Sequence, residues 1–217
     1  MTRHFIRELE ELKRDVMTMG GLGETAVARA TRAFLDGNAE EAALVIDGDG
    51  EVDAMELRIE EECLKLMALY APTAKDLRFV VGVFKITNDL ERVGDLAKNL
   101  AERARSGATP GTGLLGAELQ QMSTRVREML RRSLDAFLTQ NAEAARDVLL
   151  MDDRVDELLR EIYQKECDFV DKGQEKFEVA LRTLSASKQL ERIADHATNV
   201  AEDVIYMVSG AIVKHRY

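Results

Sequence analysis

Four pairs of acidic residues, each separated by four positions, are the residues of this chain best suited to chemistry. On a helix this spacing places both carboxylates on one face, with about 6 Å between their Cβ atoms. A cation between them removes their repulsion, which predicts an oxygen-ligand site for Mg, Mn, Fe or Zn. Asn99 and Asn199 extend two of these faces by one turn and add neutral carbonyl oxygens. The pairs are Asp49 with Asp53, Glu91 with Asp95, Asp152 with Asp156, and Glu191 with Asp195.

Acidic pairs at this spacing also arise by chance, because 40 of the 217 residues are Asp or Glu. A solvated helix face is therefore the competing interpretation of any single pair. The four pairs differ from most others because they recur at matching positions in two similar stretches of the chain. Arg92 and Arg192 provide another alternative, since an arginine from a neighbouring helix would neutralise the carboxylates without a metal.

The recurrence of the pairs reflects an internal repeat. Residues 88–102 match residues 188–202 at a constant offset of 100, with eight identical residues in fifteen. Residues 31–53 match residues 134–156 at an offset of 103. Two collinear blocks of this similarity indicate a duplicated structural unit of about 100 residues.

The elements that carry the acidic pairs are predicted to be long helices. Apolar residues recur at alternating steps of four and three, which is typical of helices packed side by side. Each copy is predicted to hold three long helices, so the fold is all-α, a tandem duplication of a three-helix bundle with six long helices. Helix ends are predicted from turn and capping residues at Asn38, Pro72, Asn141 and Gly173.

The two copies are predicted to occupy residues 1–106 and 114–217. Between them lies a stretch rich in glycine and proline, which is where a linker belongs. Glycines at positions 20, 21 and 23 fall inside the first helical pattern, and we expect that helix to continue through them. The linker is marked by Gly107, Pro110, Gly111, Gly113 and Gly116.

Composition excludes several functions. The chain has 30 Lys and Arg against 40 Asp and Glu, a net charge of −10, which argues against binding nucleic acid or anionic lipid. No apolar run approaches the length of a membrane span and no signal peptide is visible, so we expect a cytoplasmic protein. Cys63 and Cys167 are expected to be core residues rather than nucleophiles.

Common catalytic motifs are missing from the sequence. It has no phosphate-binding loop, no HExxH zinc helix and no GxSxG elbow. A di-iron oxidase of the bundle type needs Glu-x-x-His motifs, but Ile193 stands three residues before His196. We therefore expect no enzymatic activity, and His196 is interpreted as a helix-surface residue rather than a ligand.

The repeated segments resemble the PhoU family. The resemblance rests on residues 89–95 (DLERVGD) and 189–199 (QLERIADHATN), with Asp76-Leu77-Arg78 upstream, and it covers nearly the whole chain. It implies a pair of three-helix bundles, cytoplasmic and often dimeric. Such proteins link the ATPase subunit of the phosphate ABC transporter to a sensor histidine kinase, and they hold the phosphate-starvation response off when phosphate is plentiful.

The resemblance also implies metal clusters on the repeated acidic motifs, which map onto the four pairs given above. The match has departures, because the usual Gly-Asp-His run ends in Leu96 in the first copy and begins with Ala194 in the second. A histidine ligand is therefore not expected at the first site, and the two sites are not expected to have equal affinity.

Three functions are compatible with these features. The leading hypothesis is a regulatory adaptor without catalysis that binds the transporter ATPase and the sensor kinase. It would reach the membrane only through these protein partners. A metal-dependent bundle enzyme, an oxidase or a hydrolase, would use the same carboxylates. An accessory protein of a different phosphate permease would share the fold.

Overall fold

A computed structural model of the chain describes residues 3–105 and 113–212. These residues form six long helices and no strand, which confirms the all-α prediction. The first helix runs without interruption through Gly20, Gly21 and Gly23, as expected. The helices are α1 (Arg3–Asp36), α2 (Ala39–Tyr70), α3 (Ala74–Arg105), α4 (Gly116–Thr139), α5 (Ala142–Asp171) and α6 (Phe177–Ser209).

The predicted capping residues define several helix ends. Asn38 Oδ1 accepts a hydrogen bond from the Glu41 backbone N–H at the start of α2. Asn141 plays the same role at α5, where its Oδ1 accepts from the N–H of residues 143 and 144. The α5 helix is followed by Gly173 with φ of +64°, a left-handed conformation that glycine adopts without a Cβ penalty.

Each copy of the repeat forms one three-helix bundle, and the two bundles pack side by side. Contacts within the copies join α1, α2 and α3, and likewise α4, α5 and α6. Contacts between the copies run mainly along α3 and α6, and also along α1 and α4. The rings of Phe79 and Phe137 stack across this contact with centroids 6.0 Å apart. The apolar core is therefore continuous through both bundles.

Small residues permit this close approach. A methyl group at Gly82 on α3 would overlap the side chain of Met207 on α6, and one at Gly20 would overlap Leu134. Most of the predicted linker, including Gly107, Pro110 and Gly111, lies outside the described residues, so the predicted boundaries stay predictions. Among the helices described, none has an apolar stretch long enough to cross a membrane.

Candidate functional site

The first group of carboxylates lies between α2 and α3. Asp49 on α2 is only 7% exposed, and its Oδ2 lies 2.6 Å from Nζ of Lys98 on α3. The helices approach closely here because α3 carries Gly94, where an added Cβ would lie 3.2 Å from Val52 Cγ1. The Asp49 carboxylate raises the pKa of Lys98, so the lysine is firmly protonated.

Glu91 and Asp95 complete this group with an arginine from their own helix. Arg92 Nε lies 3.2 Å from Glu91 Oε2, and its Nη1 lies 3.0 Å from Asp95 Oδ2. Burial raises the pKa of Glu91 to about 7, and the charge of Asp95 adds to the rise while Arg92 opposes it. Asp53 and Glu56 on α2 repel the Glu91 carboxylate more weakly, so acidic residues of both helices contribute to its raised pKa.

The second group lies between α5 and α6. Burial raises the pKa of Asp152 on α5 to about 6, with further contributions from Asp195, Asp156 and Glu191. Burial also raises the pKa of Asp195, and repulsion from Glu191 adds to the rise. Lys188 Nζ lies 2.6 Å from Glu191 Oε1. The second oxygen, Glu191 Oε2, is buried without a hydrogen-bond partner in the described part of the chain.

The structure thus brings the eight predicted carboxylates into two groups of four, one in each repeat. Their role as metal ligands stays a prediction. The two asparagines have other contacts. Asn199 Nδ2 donates to Asp89 Oδ1 on α3 at 3.0 Å, and His196 Nδ1 lies 2.7 Å from the same oxygen, so both residues join the two repeats. The half-buried Asn99 accepts a hydrogen bond from Arg103 through its backbone carbonyl.

Two residues of the first group are not predicted by the acidic spacing. Lys98 neutralises Asp49, and Glu56 adds a fifth carboxylate whose pKa burial raises. Comparison of the two repeats distinguishes Lys98, because the matching residue of the second copy at the offset of 100 is the uncharged Thr198. The Thr198 hydroxyl donates to the Asp195 backbone carbonyl and brings no positive charge.

The chemistry of these donors fits a hard or borderline cation. All are carboxylate oxygens. Burial and, after it, repulsion between the carboxylates raise the pKa of Glu91 and Asp152, and in the described part of the chain Glu191 Oε2 is a buried acceptor without a hydrogen bond. Within residues 3–105 and 113–212, no three His, Cys, Asp or Glu side chains stand in an arrangement that would hold a metal. Metal binding would therefore require these side chains to reorient.

These features define a class of protein: a duplicated three-helix bundle that carries one acidic group in each repeat. Comparison with known proteins specifies the family. The PhoU domain matches residues 16–104 and, a second time, residues 119–204. The chain belongs to the PhoU family.

The similarity to individual relatives extends over nearly the whole chain. The "Phosphate-specific transport system accessory protein PhoU homolog" of Aquifex aeolicus is 40% identical, covering 97% of this chain and 96% of the relative. The homolog of Pseudomonas aeruginosa is 34% identical, covering 99% and 89% respectively. These names describe accessory proteins rather than enzymes, in agreement with the expectation of no catalytic activity.

Solved structures of the family share the fold. The crystal structure of PhoU from Pseudomonas aeruginosa matches with a TM-score of 0.89 and 34% identity, covering 95% of this chain and all of that one. The phosphate transport system regulatory protein PhoU from Streptococcus pneumoniae matches with a TM-score of 0.89 and 29% identity, covering 96% and 99%.

Proposed function

We propose that this chain is a regulatory adaptor of phosphate uptake and a negative regulator of the phosphate-starvation response. It would link the ATPase subunit of a high-affinity phosphate ABC transporter to a sensor histidine kinase. The observation that carries this proposal is the double match to the PhoU domain, together with relatives named as accessory proteins of the phosphate-specific transport system over nearly the full chain.

We further propose that it works in the cytoplasm as a homodimer and reaches the membrane through its protein partners. The net charge of −10 supports attachment through protein partners rather than through lipid, because a strongly acidic surface is repelled by anionic lipid headgroups. A pull-down of the purified chain against the transporter ATPase and the sensor kinase tests the partners directly, and sedimentation of the purified chain tests the dimer.

Deletion of the gene tests the regulatory role. We expect derepression of alkaline phosphatase in phosphate-rich medium and restoration of repression by a plasmid copy. Repression that persists in the deletion strain would contradict the proposal. If the gene lies beside a different phosphate permease and deletion alters uptake through that permease alone, the adaptor serves that transporter instead.

The two acidic groups are proposed to bind divalent or transition metal, with Mg, Mn, Fe and Zn as candidates. The support is the all-oxygen donor set and the buried, unbonded Glu191 Oε2. When bound, a metal would neutralise the carboxylates and bridge neighbouring helices. Elemental analysis of the purified, unchelated protein is the test.

Paired variants locate the metal. Replacing Glu91 and Asp95 by Ala should remove the metal of the first repeat, and replacing Glu191 and Asp195 by Ala should remove that of the second. The control replaces the half-buried Glu128 and the exposed Asp135 of α4 by Ala, which removes two acids away from both groups. Equal metal content in all variants would contradict the assignment.

A further inference from the structure

The second repeat has a groove between α5 and α6 that runs from the end of α5 toward the acidic group, which it reaches at Lys188. One part of it is a cavity of about 300 Å³ lined by Glu166, Val170, Phe177 and Leu181. A neighbouring cavity of about 490 Å³ is lined by Leu159, Tyr163 and Lys188. Leu184 lines both cavities, so they are adjacent, and together they are called here the α5/α6 groove.

The base of the groove holds an unusual carboxylate. Glu166 is only 1% exposed, and neither of its oxygens has a hydrogen-bond partner of good geometry in the described part of the chain. The Thr183 hydroxyl lies near enough to favour the charged form in part, but burial is the larger effect and raises the pKa of Glu166. A buried carboxylate whose oxygens have no hydrogen bond of good geometry is costly, so its position needs a reason.

The first repeat does not share this feature. At the offset of 103 the residue that matches Glu166 is Cys63, which is fully buried in the core. At the offset of 100 the residue that matches Leu184 is the larger Phe84. The second repeat therefore has a carboxylate and a smaller side chain where the first has an apolar thiol and a ring.

The walls of the groove are apolar and open to solvent. Phe177 is 69% exposed, and Leu181 and Tyr163 are also exposed. The groove runs along α5 from residue 171 back to residue 159, about 18 Å at 1.5 Å per residue. This length corresponds to about three helical turns, which is too long for a single small ligand and suits the apolar face of a helix.

The ends of the groove carry opposite charges. Glu166 and Asp171 lie toward one end, whereas Arg160 and Lys188 lie toward the other. Lys188 is already paired with Glu191, so Arg160 is the cation that an occupant would meet there. A complementary occupant has a basic residue at the first end, an acidic residue at the second and apolar residues between them.

We infer that the α5/α6 groove is the docking site for an amphipathic helix of a partner protein, with a Lys or Arg of that helix reaching Glu166. The inference rests on the proposal that the chain acts through protein partners, and it specifies which surface one partner uses. The partner's ammonium or guanidinium group would supply the hydrogen bonds that Glu166 lacks, while its apolar residues would cover Phe177, Leu181 and Tyr163.

The test places a photoreactive benzophenone residue at position 163 of the full-length chain in cells. The matched control places it at Glu60, the residue of the first repeat that corresponds to Tyr163. We expect a cross-link from position 163 to a partner segment with an apolar helical face and a Lys or Arg, and a much weaker product from position 60. A cross-link to a second copy of this chain, to a segment without a basic residue, or to nothing would overturn the inference.

A synthetic peptide of the cross-linked segment then tests the role of Glu166. Binding to Glu166→Gln should be at least about tenfold weaker than to wild type, since hydrogen bonds to charged groups contribute strongly. Replacing the basic residue of the peptide by Met should weaken binding equally, and the two changes together should weaken it no further. Additive losses, or unchanged binding to Glu166→Gln, would contradict the pairing.

Two further controls keep the outcome interpretable. Phe177→Ser alters an exposed groove residue, so it should reduce the cross-link without unfolding the protein. Circular dichroism should show that Glu166→Gln melts no lower than wild type, because it removes a buried charge. If groove variants keep the cross-link at the wild-type level while phosphatase repression is intact, the docking inference fails and the proposed regulatory function stands.

Discussion

The two acidic groups of this molecule have the same carboxylates but different cations. In the first repeat Asp49 is paired with Lys98 at 2.6 Å, and Arg92 contacts Glu91 and Asp95. In the second repeat Thr198 replaces the lysine, and the pKa of Asp152 is raised to about 6. Duplication has thus preserved the negative charges while changing what balances them. Lys98 and Arg92 contact three carboxylates of the first group, whereas Lys188 contacts Glu191 in the second, so the second group is the more open to an external cation.

The largest expected effect concerns metal affinity. A metal entering the first group must displace the Lys98 ammonium from Asp49, a charge-assisted contact of about 1.5–3 kcal/mol. We therefore expect the second group to bind Mn²⁺ about ten- to a hundredfold more tightly than the first. Equilibrium dialysis measures this on the two double alanine variants, each of which keeps one group.

Thr198→Lys provides the matched control for this comparison. It introduces into the second repeat the lysine that the first repeat has, so it should lower the affinity of the second group toward that of the first. Equal affinities in the unmodified groups, or no effect of Thr198→Lys, would show that Lys98 does not compete with metal.

A smaller effect is expected on stability when Lys98 is replaced. Lys98→Thr copies the second repeat and leaves Asp49 buried without its ammonium partner. Because Lys98 is itself partly exposed, we expect a loss of about 1–3 kcal/mol in the free energy of unfolding at pH 7. Urea denaturation measures it, and Lys188→Thr, which removes a more exposed lysine, should cost less. A greater loss of stability for Lys188→Thr than for Lys98→Thr would show that the second repeat depends more on its lysine than the first.

Much of this architecture is predictable from sequence, whereas the balance of charges is not. Helical periodicity and the caps Asn38 and Asn141 predict six helices, and recurrence of the acidic pairs predicts two groups of carboxylates. The contact of Lys98 with Asp49 depends on how α2 and α3 are aligned. Periodicity within one helix contains no such information.

The same reason explains Asn199, which the helical face pattern places with Glu191 and Asp195. In the structure its amide donates to Asp89 on α3, because α6 is flanked by α3 as well as by α5. The sequence indicates the duplication but not which helices of the two copies meet. Glu166 likewise looks like an ordinary surface acid until its burial is known.

The pH dependence of stability should differ between the two groups. A carboxyl group with a raised pKa binds its proton more tightly in the folded state, so the free energy of unfolding falls as pH rises from the unfolded to the folded pKa. For Asp152 this window runs from 3.8 to about 6, and for Glu91 from 4.5 to about 7. Above each window the loss is complete and constant.

Amide variants isolate each contribution in chelator-treated buffer. The stability of wild type minus that of Asp152→Asn should decline up to about pH 6 and then stay level, whereas the difference for Glu91→Gln should decline up to about pH 7. Urea denaturation at half-unit pH intervals measures both. Subtracting the free energy of unfolding of the variant cancels the opposite pH dependence that comes from carboxyl groups with a lowered pKa, such as Glu41. Flat differences would show that neither carboxyl group is perturbed.

The smallest effect on stability is expected at the close contacts between α2 and α3 and between α5 and α6. Gly94 packs against Val52 in the first repeat, and the matching residue of the second is the buried Ala194. Ala194→Gly should cost about 1 kcal/mol through lost helix propensity. Gly94→Ala gains a similar amount but crowds Val52 Cγ1 at 3.2 Å, so the effects should cancel within about 1 kcal/mol. Thermal denaturation compares the two. A loss of several kcal/mol for Gly94→Ala would mean that α2 cannot yield, and that the Asp49–Lys98 pair depends on a rigid contact absent from the second repeat.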